Sequence, residues 1–487
     1  MTITKPVAIL LSLVGCAIVT LCLYVLGGLD ERYMTSNLMI AVIAVLIGWS
    51  ARKILTNETP WYSPHTMVLI SLFAYYVIGS GALVYFKVPS HATNSMLSPE
   101  ELEKGVLGTL VAVASYLLGF AMGPKKRPFL PDRLEWFFAD TPAVQARFNL
   151  ITMTLYGMGI LAWFYLFAVG GGMQSHLQNI GSARGQAIAD AGGIVFHISK
   201  FATAASLLYF SRNGLSLISI GMIGLLSFMF FVYGSRNLVG MYLIAVVIVY
   251  RFRFGKIPIV FWPIALFALS FVFTFMRILR GTGGNIARAR YYQQRINSTL
   301  EGRLELLFGD FIFVNNWADI IANMGARIPY QYGRTFSEFL FIIPTFVWPD
   351  QYKFVKTGGQ IYMENLAPDR IGFTSLSNNM FLDFFINFGW WGLVIMTFLF
   401  GLFVRWFQTV MITHPHRRHQ VAHIVFAAIV GTSFITMLKS GSGIALNWLY
   451  LGFPIFVVYL PNLQHLLNPP PLPGRSHDHA HARPAHA

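Results

Sequence analysis

The chain has 487 residues, of which 55% are hydrophobic and 11% charged, with a formal net charge of +15. So little charge against so much apolar residue excludes an ordinary soluble domain and describes a polytopic membrane protein. The two cysteines, Cys16 and Cys22, both fall inside the first apolar run, which excludes a disulfide framework and a thiolate metal site.

Apolar runs of about 20 residues, enough to cross a hydrocarbon core of roughly 30 Å, recur from end to end. In chain order they predict twelve transmembrane helices, at 6–27, 36–51, 64–86, 105–123, 148–169, 193–211, 214–233, 238–252, 257–276, 378–404, 420–438 and 444–464. The first has a long core and no small-residue cleavage pattern after Gly28, so it reads as a retained anchor. A cytoplasmic N-terminus puts Arg52 and Lys53, then Lys125, Lys126, Arg127 and Arg133, then Arg212, then Arg251, Arg253 and Lys256, then Arg405, Arg417 and Arg418 on the cytoplasmic side. That is where short loops of a membrane protein concentrate lysine and arginine.

The expected architecture is therefore an all-α polytopic membrane protein of about 12 transmembrane helices with one large extracytoplasmic loop. Residues 1–276 carry helices one to nine, 277–377 form the loop, and 378–464 carry the last three helices. Residues 465–487 make a disordered cytoplasmic tail rich in His, Pro and Ala, whose His477–His486 stretch reads as low complexity rather than a metal site. Aromatic and aliphatic stretches at 304–317 and 336–348 argue that the loop is ordered, with helices lying at, or dipping into, the outer interface.

That loop opens on a run of six arginines without a lysine, Arg277 to Arg303, opposed by Glu301 alone. Guanidinium groups are planar, always charged and two-pronged, which suits phosphate or another anionic group. The same topology turns outward Arg236, in the tight turn Tyr233-Gly234-Ser235-Arg236-Asn237, together with Arg184 and Lys439. Arg277 and Arg280, three residues apart, share one face of a helix continuing from the ninth span. Snorkelling to lipid headgroups accounts for each cation alone, whereas five on one face favour a shared anionic pocket.

A catalytic carboxylate on this side must come from Glu301, Glu305, Asp310, Asp319, Glu338, Asp350, Glu364, Asp369 and Asp383. Asp310 and Glu338 stand out because aromatic, apolar sequence surrounds both, where an unpaired carboxylate is costly. Each is either a structural partner for an arginine or a general base for a sugar hydroxyl. No His/Cys/Asp constellation with metal spacing occurs on this side, so neither metal nor cofactor is expected.

The Tyr-Gly-Ser-Arg-Asn turn at 233–237, the pair Arg277 and Arg280 after a long apolar span, and Phe341-Ile342-Ile343-Pro344-Thr345-Phe346-Val347-Trp348-Pro349 resemble bacterial oligosaccharide repeat-unit polymerases. These are the Wzy-type enzymes of O-antigen, enterobacterial common antigen and exopolysaccharide assembly. The likeness covers mainly residues 230–400. It implies a GT-C-like glycosyltransferase of the inner membrane, with both termini cytoplasmic and a periplasmic active site. Undecaprenyl-diphosphate-linked oligosaccharide would serve as donor and acceptor, and a chain-length regulator and a flippase are partners by pathway analogy alone. By the same resemblance Arg236, Arg277 and Arg280 hold diphosphate or glycan, with Arg288, Arg290, Arg334 and Lys439 as companions. Arginines placed against the departing diphosphate would stabilise the transition state. Asp310 and Glu338 are the candidate bases, and Tyr291, Tyr292, Trp317, Tyr330, Tyr332 and Trp348 either stack on sugars or anchor at the interface.

Two other functions compete. An O-antigen ligase shares the topology and the donor, but ligases commonly place a histidine in the external loop and residues 277–377 contain none. A lipid-linked glycan flippase or transporter would bury charge near the midplane on broken helices. The spans read as largely uncharged, which favours surface chemistry.

Overall fold

The computed structural model describes residues 31–55, 60, 62–86, 97–124, 137–178, 193–255, 257, 314–337, 348, 356–366, 379–412, 420–441 and 446–464. Two expected spans, 6–27 and, apart from Ile257, 257–276, lie outside them. Among the described residues the protein is all-helical, the only β feature being an isolated bridge between Met324 and Ile328.

In chain order the helices are α1 (Met34–Leu55), α2 (Pro64–Leu72), a π-helical turn (Phe73–Ile78), α3 (Gly79–Phe86), α4 (Pro99–Met122), α5 (Pro142–Val169), α6 (Gly172–Gln178), α7 (Gly193–Ser199) and α8 (Phe201–Asn213). There follow α9 (Leu217–Val232), α10 (Arg236–Phe254), α11 (Val314–Asn323), α12 (Gly358–Leu366), α13 (Met380–Ile412), α14 (Val421–Ser440) and α15 (Leu446–Tyr459). Seven helices among the described residues are long and apolar enough to cross a membrane, and two more, Leu217–Val232 and Trp448–Asn462, are apolar but shorter. The run expected as a span at 64–86 is α2 passing through the π turn into α3 without interruption.

Local chemistry fixes where these helices begin and end. Ser98 accepts from the Glu101 amide while Glu101 reaches back to the Ser98 amide, a capping box completed by Pro99 in the first turn of α4. Ser63-Pro64 and Thr141-Pro142 start α2 and α5 with the same side-chain cap and proline but without the returning carboxylate. Between α9 and α10 the chain reverses through Gly234 at φ 72°, a left-handed conformation that glycine adopts without penalty, and Ser235 then caps α10. The spans expected to be short, at 36–51 and 238–252, lengthen to 22 and 19 residues because polar and basic residues continue both helices past their apolar centres.

Two hydrophobic cores divide the bundle. One unites α1 to α4, α11, α12 and α13 around Tyr76, Tyr116, Trp317 and Phe381. The other unites α5, α8, α9, α10 and α15 around Trp163, Phe210 and Tyr233. Helix α14 belongs to both, giving Phe434 and Leu438 to the first and Val425 and Ile429 to the second. Within the first core α4 presents a row of small residues. Its Gly105 and Gly108 receive Ala318 and Trp317 of α11, and Gly119 meets the Phe398 backbone of α13. Gly401 of α13 answers by seating against the backbone of Tyr116 and Phe120. Apolar side chains gain little by leaving lipid for a helix surface, so such close backbone approach is a main source of attraction between membrane helices.

Candidate functional site

Chain direction sorts the side chains into two ends. At one, Arg52 lies over Trp49 at 3.7 Å, Arg212 over Phe148 at 4.5 Å, Arg251 over Tyr62 at 5.5 Å and Arg405 over Phe120 at 5.2 Å. All four belong to the set expected on the cytoplasmic side, and each attracts the negative face of a ring. Tyr459 donates to Asp140 at 2.8 Å, and Thr141 to Asn462 at 2.6 Å, binding the same end together.

The opposite end holds the described parts of the long connection. Helix α11 is buried rather than laid on the surface: Val314 to Ile320 are all buried, and Trp317 is wedged between Gly108 of α4 and the edge of the Tyr76 ring. Trp317 is therefore a packing residue, which removes it from the candidate sugar platforms. Its burial brings polar groups inside. Asp319 is 9% exposed and accepts a 2.6 Å hydrogen bond from the Tyr362 hydroxyl of α12 through Oδ2. Burial pushes this carboxyl above its usual range, the Tyr362 hydrogen bond pulls it partly back, and the nearby negative charge of Glu101 raises it again. Asn315, one turn earlier on the same face of α11, is buried with its Oδ1 unpartnered. On the other side of α11, the Tyr76 hydroxyl is faced by Trp317 and Asn379, and Tyr76 Oη, Trp317 Nε1 and Asn379 Nδ2 are all buried without a hydrogen bond of regular geometry. Tyr76 sits in the π turn, the irregular part of its helix.

Helix α13 was expected as one continuous span, and the structure corrects this. Gly389 has φ 62° and ψ −149°, outside helical space, so a short N-terminal piece precedes the long apolar one. Met380 to Asn387 are all buried, and Asn379, Asp383 and Asn387 recur on that piece at helical spacing. Asn387 ties the connection to it: its amide donates to Thr335 Oγ1 at 2.5 Å and to the Asp383 carbonyl at 2.7 Å, and its Oδ1 accepts from the Gly333 amide at 2.7 Å. The Gln331 and Tyr332 amides donate to the carbonyls of Ile386 and Asn387. This clamp holds Tyr332 at φ 46°, a strained setting for a non-glycine residue, with its ring 78% exposed near Tyr330.

Of the residues proposed from sequence, Arg277, Arg280, Arg288, Arg290, Asp310 and Glu338 lie outside the described residues, as does all of 341–349 except Trp348. Arg334 is exposed in the clamped turn 334–337, Arg236 opens α10 and Lys439 lies in the last turn of α14. All three are at the α11 end of the bundle. For Arg236 only the backbone is described. The structure brings forward Asp319, Tyr362, Asn387 and Asp383, of which sequence offered the two aspartates only as members of a long set of acids. Tyr362 and Asp319 are 43 residues apart, and no local pattern joins them. No protein-family model, curated protein or solved structure matches the chain.

Proposed function

We propose that this chain is a membrane glycosyltransferase that polymerises oligosaccharide repeat units carried on undecaprenyl diphosphate, working at the extracytoplasmic face of a bacterial inner membrane. The anomeric carbon at the reducing end of the growing chain is attacked by a hydroxyl at the nonreducing end of a new lipid-linked repeat, and the lipid diphosphate departs. The observation that carries this reading is the docking of the long connection. Parts of it fold as helices into one end of the bundle and bring a buried acid and several unsatisfied polar groups there. Arg334, Arg236 and Lys439 belong to that same end, and the arginine run 277–303 is the sequence feature suited to the departing diphosphate.

One observation favours a second reading, a flippase or transporter of lipid-linked glycan. Helix α13 is broken at Gly389 and its N-terminal piece buries Asp383 at 1% exposure, a pattern associated with transport sites. The deciding experiment supplies purified protein with lipid-diphosphate-linked oligosaccharide. A ladder of products supports polymerisation, transfer to a lipid-core acceptor supports a ligase, and movement across a vesicle membrane without elongation supports transport. Arg277→Ala and Arg280→Ala are expected to abolish the ladder while leaving membrane insertion and single lipid-linked repeats intact. Normal polymer from both variants overturns the arginine assignment.

A further inference from the structure

We infer that Asp319 is the group that takes the proton from the acceptor sugar hydroxyl, with Tyr362 as the residue that positions it; this rests on the glycosyltransferase reading above.

Three features of α11 carry the inference. Asp319 is held on one side only: Oδ2 accepts from Tyr362, while among the described residues Oδ1 accepts nothing and no cation pairs with the carboxyl. Asn315 Oδ1, a turn away on the same face, is a buried acceptor without a donor. A buried unfilled acceptor one turn from a carboxyl with a spare oxygen calls for a ligand that brings hydrogen-bond donors, and a sugar hydroxyl pair is such a ligand. The third feature is rigidity. Helix α11 is pressed onto Gly105 and Gly108 of α4, where an added Cβ would meet it at 3.1 Å and 2.8 Å, so the carboxyl is carried on a fixed support.

The step balances. The acceptor hydroxyl oxygen forms a bond to the anomeric carbon as its proton passes to Asp319, and the bond from that carbon to the diphosphate breaks with its electron pair leaving on the lipid diphosphate. A carboxyl raised by burial is a stronger base than an exposed one, which suits the task. Among the charged groups of the described elements packed beside it, Glu101 of α4 acts on it; α4 also carries Glu100, Glu103 and Lys104, and the ion pair Lys356–Glu364 lies on and beside α12. Glu101 raises Asp319 and Tyr362 lowers it.

The test uses the full chain in lipid nanodiscs with extracted lipid-diphosphate-linked oligosaccharide, scoring elongation across pH. Asp319→Asn is expected to lose at least about 100-fold in turnover, the usual contribution of a positioned base. Tyr362→Phe removes a hydrogen bond to the ionised form, so the acid limb of the profile moves to higher pH. Glu101→Gln removes a repelling charge while still able to cap α4, so the limb moves to lower pH. A purely structural role for Asp319 would not shift the two limbs in opposite directions. Wild-type turnover by Asp319→Asn overturns the assignment. If that variant does not fold, the other pair decides, and limbs that stay in place overturn it. Absence of any elongation by the unsubstituted protein overturns the glycosyltransferase reading itself, a result distinct from elongation that survives the loss of Asp319.

Discussion

The crossing of α4 and α13 gives the sharpest structural prediction. In Gly119→Ala the new Cβ would stand 2.0 Å from the Phe398 carbonyl oxygen and close to the backbone on both sides of it, so no flexible side-chain tip can move away. Restoring an ordinary contact of about 3.4 Å separates the helices locally by roughly 1.4 Å, enough to forfeit at least half of the dispersion attraction of the atoms along that line. Overpacking of this kind costs about 1–3 kcal/mol, and a backbone obstacle places Gly119 at the upper end. Replacing a helical glycine returns roughly 1 kcal/mol of propensity, leaving a net loss of about 2 kcal/mol. Gly157→Ala in α5 is the matched control: nothing lies within 4 Å of its added Cβ, so that variant gains the propensity term alone. Thermal unfolding of the two proteins in detergent, followed by tryptophan fluorescence, should place Gly119→Ala below the wild type and Gly157→Ala above it. A Gly119→Ala protein that melts with Gly157→Ala would refute the close crossing. Adding Gly401→Ala, whose Cβ would stand 2.3 Å from the Tyr116 carbonyl oxygen, should cost less in the double variant than alone, because the first substitution already parts the helices.

Two further substitutions probe the clamp between the connection and α13. Asn387→Ala leaves the Gly333 amide and the Thr335 hydroxyl short of a buried partner, at a cost of about 2–3 kcal/mol; amide exchange should accelerate across 331–336 while α14 stays protected. Gly389→Ala forces a side chain into a conformation open essentially to glycine, costing about 1–3 kcal/mol. It also sets a Cβ 3.1 Å from the Tyr330 ring, so a lower melting temperature should accompany faster proteolysis near Tyr330, and an unchanged melt would contradict the break.

Much of the helical framework was legible in the sequence, for definite reasons. Twenty-residue apolar runs can satisfy their backbone in lipid only as helices, and Ser-Pro-Glu-Glu at 98–101 or Thr-Pro at 141–142 states where a helix begins. The break at Gly389 was hidden, because Phe-Gly-Trp-Trp-Gly reads as uninterrupted apolar sequence and hydropathy carries no φ angle. The depth of helix α11 was hidden for a different reason. Val-Asn-Asn-Trp-Ala-Asp mixes polar and apolar residues, and it is glycines more than 200 residues earlier that open a slot burying its polar and apolar faces alike. The pairing of Asp319 with Tyr362 was illegible, since tertiary contact alone brings α12 to α11. The arginine run that sequence singles out lies outside the described residues, so its part in the site stands on chemistry of residue type.

The small-residue row of α4 also bears on how the protein assembles. One helix carries the seats for two neighbours: Gly105 and Gly108 hold a segment of the long connection, and Gly119 holds α13, one of the helices long and apolar enough to cross a membrane. Turning α4 by one residue, about 100° about its axis, would replace both seats with larger side chains together. Neither neighbour can therefore change register without unseating the other. Docking of the connection is thereby made a readout of correct helix insertion, and a chain with α13 misplaced would leave α11 undocked, as a substrate for quality-control proteases.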